Sequence, residues 1–219
     1  MGAKKPFAKT RIDYIRNLVE PSKSDKILNI GISNIPEVEM SLENDVKECW
    51  TLDIDPSKLE GAKKFLGKTK LINADFLKEG QLPADYFDKV IMLEVLEHLD
   101  NDEEALRKIN FLLKKGGSLI VAVPNNSLWH IINPVKYIEH KRHYSNERIR
   151  KLLAETGFEV VHFNVVECWT LLANLWVHLF TKFILRRNSR FGFFRNKAGS
   201  SYGQYNKTGV DIIIKAVKH

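Results

Sequence analysis

Cysteine is scarce in this chain. Its 219 residues include two, Cys49 and Cys168, far apart and without a CxxC pair. That excludes a disulfide framework and a cysteine-ligated zinc site, and a reducing, cytoplasmic compartment fits best. No apolar run reaches the roughly 20 residues that a membrane-spanning helix needs. The opening residues, Met1-Gly2-Ala3-Lys4-Lys5-Pro6, contain no apolar signal region, and Pro6 stands where a myristoylation signal wants Ser or Thr. Internal repeats and low-complexity tracts are also missing. With 44% hydrophobic and 28% charged residues, wholesale disorder is excluded. The length suits one domain spanning 1–219 with a core of its own.

What is abundant is positive charge, +7 overall, but it is unevenly placed. Residues 1–135 carry 19 Lys and Arg against 21 Asp and Glu, whereas residues 136–219 carry 15 against 6. Whatever the basicity serves is therefore local to the C-terminal part.

Apolar spacing through Ile12, Ile15, Leu18 and Val19 predicts an N-terminal helix over 8–20. Short apolar runs then predict strands at Ile27–Ile30, Cys49–Asp53, Lys70–Ala74, Phe87–Leu93, Ser118–Val123, Phe158–Val166 and Gly209–Val217. Helical stretches fall between them at Pro36–Asn44, Pro56–Leu66, a segment opened by an Asp100/Glu103 capping box and stopped at Gly116-Gly117, and one capped by Ser145 and closed by Gly157. Strands alternating with helices predict a parallel α/β sheet covered on both faces.

In such sheets ligands sit beyond the carboxyl ends of the strands. After the first strand Gly31 permits a tight turn and close approach of a ligand. The second strand ends in Asp53, 22 residues further on, an acid suited to holding two ribose hydroxyls. After the third, Asp75 can accept from an exocyclic amine such as adenine N6, and Phe76 can meet a base plane. After the fourth comes Leu93-Glu94-Val95-Leu96-Glu97-His98-Leu99. Each position alone reads as a turn or a cap. Together they form a nucleoside-shaped series on three consecutive strands.

These stretches, with Leu52-Asp53-Ile54-Asp55-Pro56, Asn73-Ala74-Asp75-Phe76 and Leu113–Ser118, resemble the class I methyltransferases that use S-adenosylmethionine. The resemblance spans roughly 26–167, and Glu94–Leu99 is its most specific part. It implies a three-layer Rossmann-like sandwich with a seven-stranded, mostly parallel sheet and an antiparallel last strand. It also implies that Asn29, Gly31 and Ile32 face the methionine part of the cofactor, Asp53 and Ile54 the ribose, and Asp75 and Phe76 the adenine. Leu93 and Glu94 would line the sulfonium side. S-adenosylhomocysteine would be the product. One departure stands out. The family's first loop reads acid-x-Gly-x-Gly-x-Gly, where this chain has Asn29, Gly31, Ser33 and Ile35. Asn29 offers no charge to an ammonium, and the two side chains narrow the loop. The Asn/Asp-Pro-Pro-aromatic run of amino-methylating nucleic-acid enzymes is lacking after the fourth strand.

The linker 125–144 holds Glu139-His140-Lys141-Arg142-His143-Tyr144, at the rim where a substrate enters. His143, then His140, are the candidate general bases, since neutral imidazole suits that task near pH 7. Arg142, Tyr144 and Trp169 are the candidate substrate contacts. No metal cluster is apparent, and His98 reads as a structural position. The insert 169–208 begins with an apolar run striped by polar residues at 170, 174, 178, 181 and 182. It continues with Arg186, Arg187, Arg190, Arg195 and Lys197 among phenylalanines. Three readings stay open: a helix covering the sheet or a homodimer partner, a membrane-surface contact through 169–197, and a nucleic-acid patch. The broad apolar face favours lipid over nucleic acid. The sequence thus predicts a methyltransferase for a small-molecule or lipid-like acceptor, cytoplasmic and peripheral at the inner membrane face. Its rivals are a non-catalytic scaffold of the same fold and an RNA-directed methyltransferase.

Overall fold

The run Lys26–Ile30 forms β1, with its last four residues buried because both faces of the strand are covered. In the computed structural model, which describes residues 10–78, 82–126, 142–166 and 211–219, six further strands join it. They are β2 (Glu48–Asp53), β3 (Lys70–Asn73), β4 (Phe87–Leu93), β5 (Leu113–Pro124), β6 (Phe158–Val166) and β7 (Asp211–Lys218). The sheet order is β3-β2-β1-β4-β5-β7-β6. β1 to β5 pair in parallel, and β7 lies antiparallel between β5 and β6. The seven-stranded Rossmann-like sandwich expected from the motifs is present, antiparallel last strand included.

Alternation along the strands divides the core between two faces. Leu28, Ile30, Val90, Met92, Leu119, Val121, Ile212 and Ile214 point to one side. There they meet Leu106 and Ile109 of α4 (Asp102–Leu112) and Ile149 and Leu153 of α5 (Asn146–Glu155). Ile27, Ile91, Ile120, Ala122 and Ile213 point to the other. They meet Ile15, Leu18 and Val19 of α1 (Arg11–Val19) and Leu42 of α2 (Glu37–Leu42). α3 (Pro56–Ala62) packs Leu59 and Ala62 against Ile32.

α1 begins at Arg11, later than expected, because Thr10 and Asp13 form a capping box. Residues 8 and 9 of the expected helix lie outside the described residues. Glu20, with φ 52°, ends it before Pro21. At α4 the cap is Asn101, whose side chain accepts from the Glu104 amide, and not Asp100. The same helix stops at Leu112 rather than at the glycines, because Leu113 already pairs with Phe87. Gly116 (φ +76°) and Gly117 sit instead in the register shift between Phe87 and Lys89. A Cβ on Gly117 would come 2.8 Å from the Lys114 carbonyl, so this bulge requires glycine. Among the described residues no helix is long and apolar enough to cross a membrane.

Candidate functional site

Between β1 and β4 the strand order reverses, which is where an open α/β sheet parts its loops and leaves a crevice. A cavity of about 780 Å³ occupies that place, within the size range of ligand pockets. Asn29, Gly31, Ile32, Asp53, Ile54, Asp75, Phe76, Leu93 and Glu94 all line it. The structure therefore brings together every residue that the motifs assign to the cofactor.

Gly31 follows β1 with φ +86°, and a Cβ there would collide with Val95 Cγ2. Both the turn and the close approach require glycine at this position. Asp53 is buried, and its two oxygens accept from the Ile32 and Asp55 amides, each at 2.8 Å. Lys58 Nζ stands 3.9 Å away. An ionised carboxylate has about four acceptor positions, so Asp53 can bind both loops and still receive hydroxyl donors. Ile54 beside it is 67% exposed at the mouth. Asp75 accepts from Lys78 Nζ and the Leu77 amide, each at 3.1 Å. Lys78, aided by the Leu77 amide, holds its carboxyl below the usual range despite some desolvation. The Phe76 ring is buried, with Lys108 Nζ 5.2 Å from its centroid.

Glu94 has φ 55°, a conformation that costs a non-glycine residue energy and tends to mark functional loops. Its carboxylate accepts from Arg11 Nη2 at 2.9 Å, so α1 closes one wall of the cavity. Glu97, in the 3₁₀ turn Leu96–His98, is fully buried, and among the described residues neither of its oxygens has a hydrogen-bond partner. Burial, with the charges of Glu94 and Asp211, pushes its carboxyl up to about 9. His98, expected to be structural, lines the cavity with its side chain 47% exposed.

The linker residues are placed differently. Arg142 donates to the carbonyls of Leu99 and Asp100 and lies 3.7 Å from Asp102. It thus fixes the loop that forms the cavity's edge. Tyr144 is in the core rather than on the rim: it is fully buried and its hydroxyl donates to Asp102 at 3.1 Å. Burial and the Asp102 charge push its phenol far above its ordinary range. His143 is half-buried and is not among the cavity's lining residues. His140, Trp169 and the insert 169–208 lie outside the described residues. Among the described residues no cluster of His, Cys, Asp or Glu is arranged to hold a metal.

The lining residues to which the sequence assigns no role include Arg11 and Glu39. Arg11 comes from a helix with no motif of its own. Glu39 did leave a signal, an acid three residues before the buried Leu42 on the apolar side of a short helix.

The sequence profile of a family described as a methyltransferase domain matches residues 18–163. No curated protein sequence matches the chain. Solved structures share the fold at low identity. One is a candidate methyltransferase from Bacillus halodurans C-125, 15% identical, with TM-score 0.68 over 95% of this chain and 98% of that one. Another is a chain of the Haloferax volcanii complex between the Trm112 methyltransferase activator and a candidate methyltransferase. It is 15% identical, with TM-score 0.68 over 94% of this chain and 88% of that one. Magnesium protoporphyrin IX methyltransferase from Synechocystis PCC 6803, solved with bound S-adenosylhomocysteine, is 13% identical, with TM-score 0.61 over 95% and 81%.

Proposed function

The chain belongs to the methyltransferase-domain family, and from that membership we propose that it moves a methyl group from S-adenosylmethionine to a small-molecule or lipid-like acceptor. One observation carries the reading. The residue types that a nucleoside needs line a single cavity at the switch point of the sheet. The residues present fit the cofactor: Asp53 retains acceptor capacity for two ribose hydroxyls, Asp75 is an ionised acceptor for an amine, and Phe76 offers a ring beside it.

When bound, S-adenosylmethionine supplies a methyl already activated on a sulfonium. The chain's own work is then alignment and exclusion of water. Leu93 and Glu94 form the wall on the sulfonium side, and Arg11 keeps the Glu94 carboxylate turned and neutralised. A base is needed only where the acceptor keeps its proton. His143 and His140 are candidates from the linker, and His98 presents an imidazole on the described wall itself. The acceptor class rests on the sequence, on the missing Asn/Asp-Pro-Pro-aromatic run and on the apolar, then basic, segment 169–197. The same segment motivates contact with an anionic membrane surface.

Titration calorimetry with S-adenosylhomocysteine tests the core of this reading. Micromolar binding is expected, and no heat at millimolar ligand would remove it. Vesicle co-sedimentation tests the acceptor side. Binding to anionic and not to neutral vesicles is expected, and failure with both removes the membrane contact.

A further inference from the structure

Glu39 is 2% exposed, yet it belongs to the wall of the cavity. Its Oε1 accepts from Asn29 Nδ2 at 2.5 Å and from Thr51 Oγ1 at 3.0 Å. Both donors are neutral. Among the described residues the charge felt by this carboxyl is another acid, Glu43, and burial raises its affinity for a proton. Without a cation such a carboxyl is favoured in its neutral form, and an arriving cation would stabilise its ionised form.

The partner would have to be a donor. Asn29 uses its amide protons on Glu39 Oε1 and, at 2.9 Å, on the Gly31 carbonyl. The opposite orientation of that amide would set its oxygen against the carboxylate, so Glu39 fixes which way Asn29 points. With both Asn29 protons in use, what the Asn29–Glu39 pair has left to offer is acceptors: the Asn29 oxygen and the Glu39 carboxylate. A cationic N–H group is the complement of such a pair.

We propose that Glu39, on α2, is the residue that holds the ammonium of the ligand's amino-acid end, with Asn29 as the positioning residue that orients it. The carboxylate missing from the end of β1 is thus supplied from the neighbouring helix. This inference rests on the cofactor reading above and adds to it a residue, a charge and a ligand group.

The test compares two ligands with one nucleoside. S-adenosylhomocysteine carries the ammonium, and 5′-deoxy-5′-methylthioadenosine lacks the amino-acid end. Glu39→Gln should weaken S-adenosylhomocysteine at least tenfold and change methylthioadenosine less than twofold in calorimetry. The exchange Asn29→Asp/Glu39→Gln, which returns the acid to β1, should recover S-adenosylhomocysteine to within a few-fold. It also keeps the question answerable if Glu39→Gln fails to fold. Equal weakening of both ligands, unchanged S-adenosylhomocysteine, or no recovery in the exchange while methylthioadenosine still binds would each overturn the assignment. If the unmodified chain binds neither ligand, the cofactor reading itself has failed, which is a separate result.

Discussion

An Asp53→Ala variant is expected to bind S-adenosylhomocysteine at least a hundredfold more weakly than the unmodified chain. Two effects combine. Hydrogen bonds to a charged acceptor are each worth about 1.5–3 kcal/mol, and two ribose hydroxyls would lose theirs. The same carboxylate fixes the loop after β1 through the Ile32 amide and the loop after β2 through the Asp55 amide. Alanine frees both amides, so the walls lose their shape as well as their acceptor. Asp53→Asn separates the two effects. Its single oxygen can serve one amide, and its affinity should fall between the other two. Calorimetry measures the affinities, and a thermal melt should show a loss of order 1 kcal/mol per freed amide. Unchanged affinity in Asp53→Ala would take the ribose contact away from this residue.

The second large effect concerns stability and pH. Burial, with the charges of Glu94 and Asp211, pushes the Glu97 carboxyl up to about 9 from an ordinary 4.5. The native state therefore holds this carboxyl neutral while the unfolded chain ionises it. Stability from burying it is complete below pH 4.5 and is lost progressively as pH rises toward 9. Glu97→Gln has no proton to lose. Its melting temperature should match the unmodified chain near pH 5, exceed it by several degrees at pH 8.5, and change less between. Parallel melting curves across that range would show that Glu97 does not titrate on unfolding.

The strands were largely legible because apolar runs bounded by polar turns leave few alternatives. β4 at Phe87–Leu93 and β6 at Phe158–Val166 match the expected bounds. β5 was read too short, since Gly116-Gly117 has the look of a helix stop and is in fact a strand bulge. The cavity wall was legible for a related reason: each of its expected residues lies on or directly after a strand, and strand ends converge in this architecture. Arg11 and Glu39 reach the cavity from helices packed across the sheet, a relation that local spacing does not encode. Arg142 and Tyr144 show the converse. A cation and a phenol beside a substrate rim invite a binding role. Tyr144 is fully buried in the core, and Leu99, Asp100 and Asp102 engage the polar groups of both residues.

β7 enters the sheet with Asp211 beside both Pro124 and Val166. The chain therefore leaves the sheet after Val166 and comes back at Asp211, directly alongside, on the edge where the strands open toward the cavity. β6 and β7 thus hold the two ends of residues 167–210 side by side. Between ends so fixed, the entropy of loop closure grows by only about 0.6 kcal/mol per doubling of length. The pairings that build the described sheet are therefore insulated from the length of the chain between its last two strands.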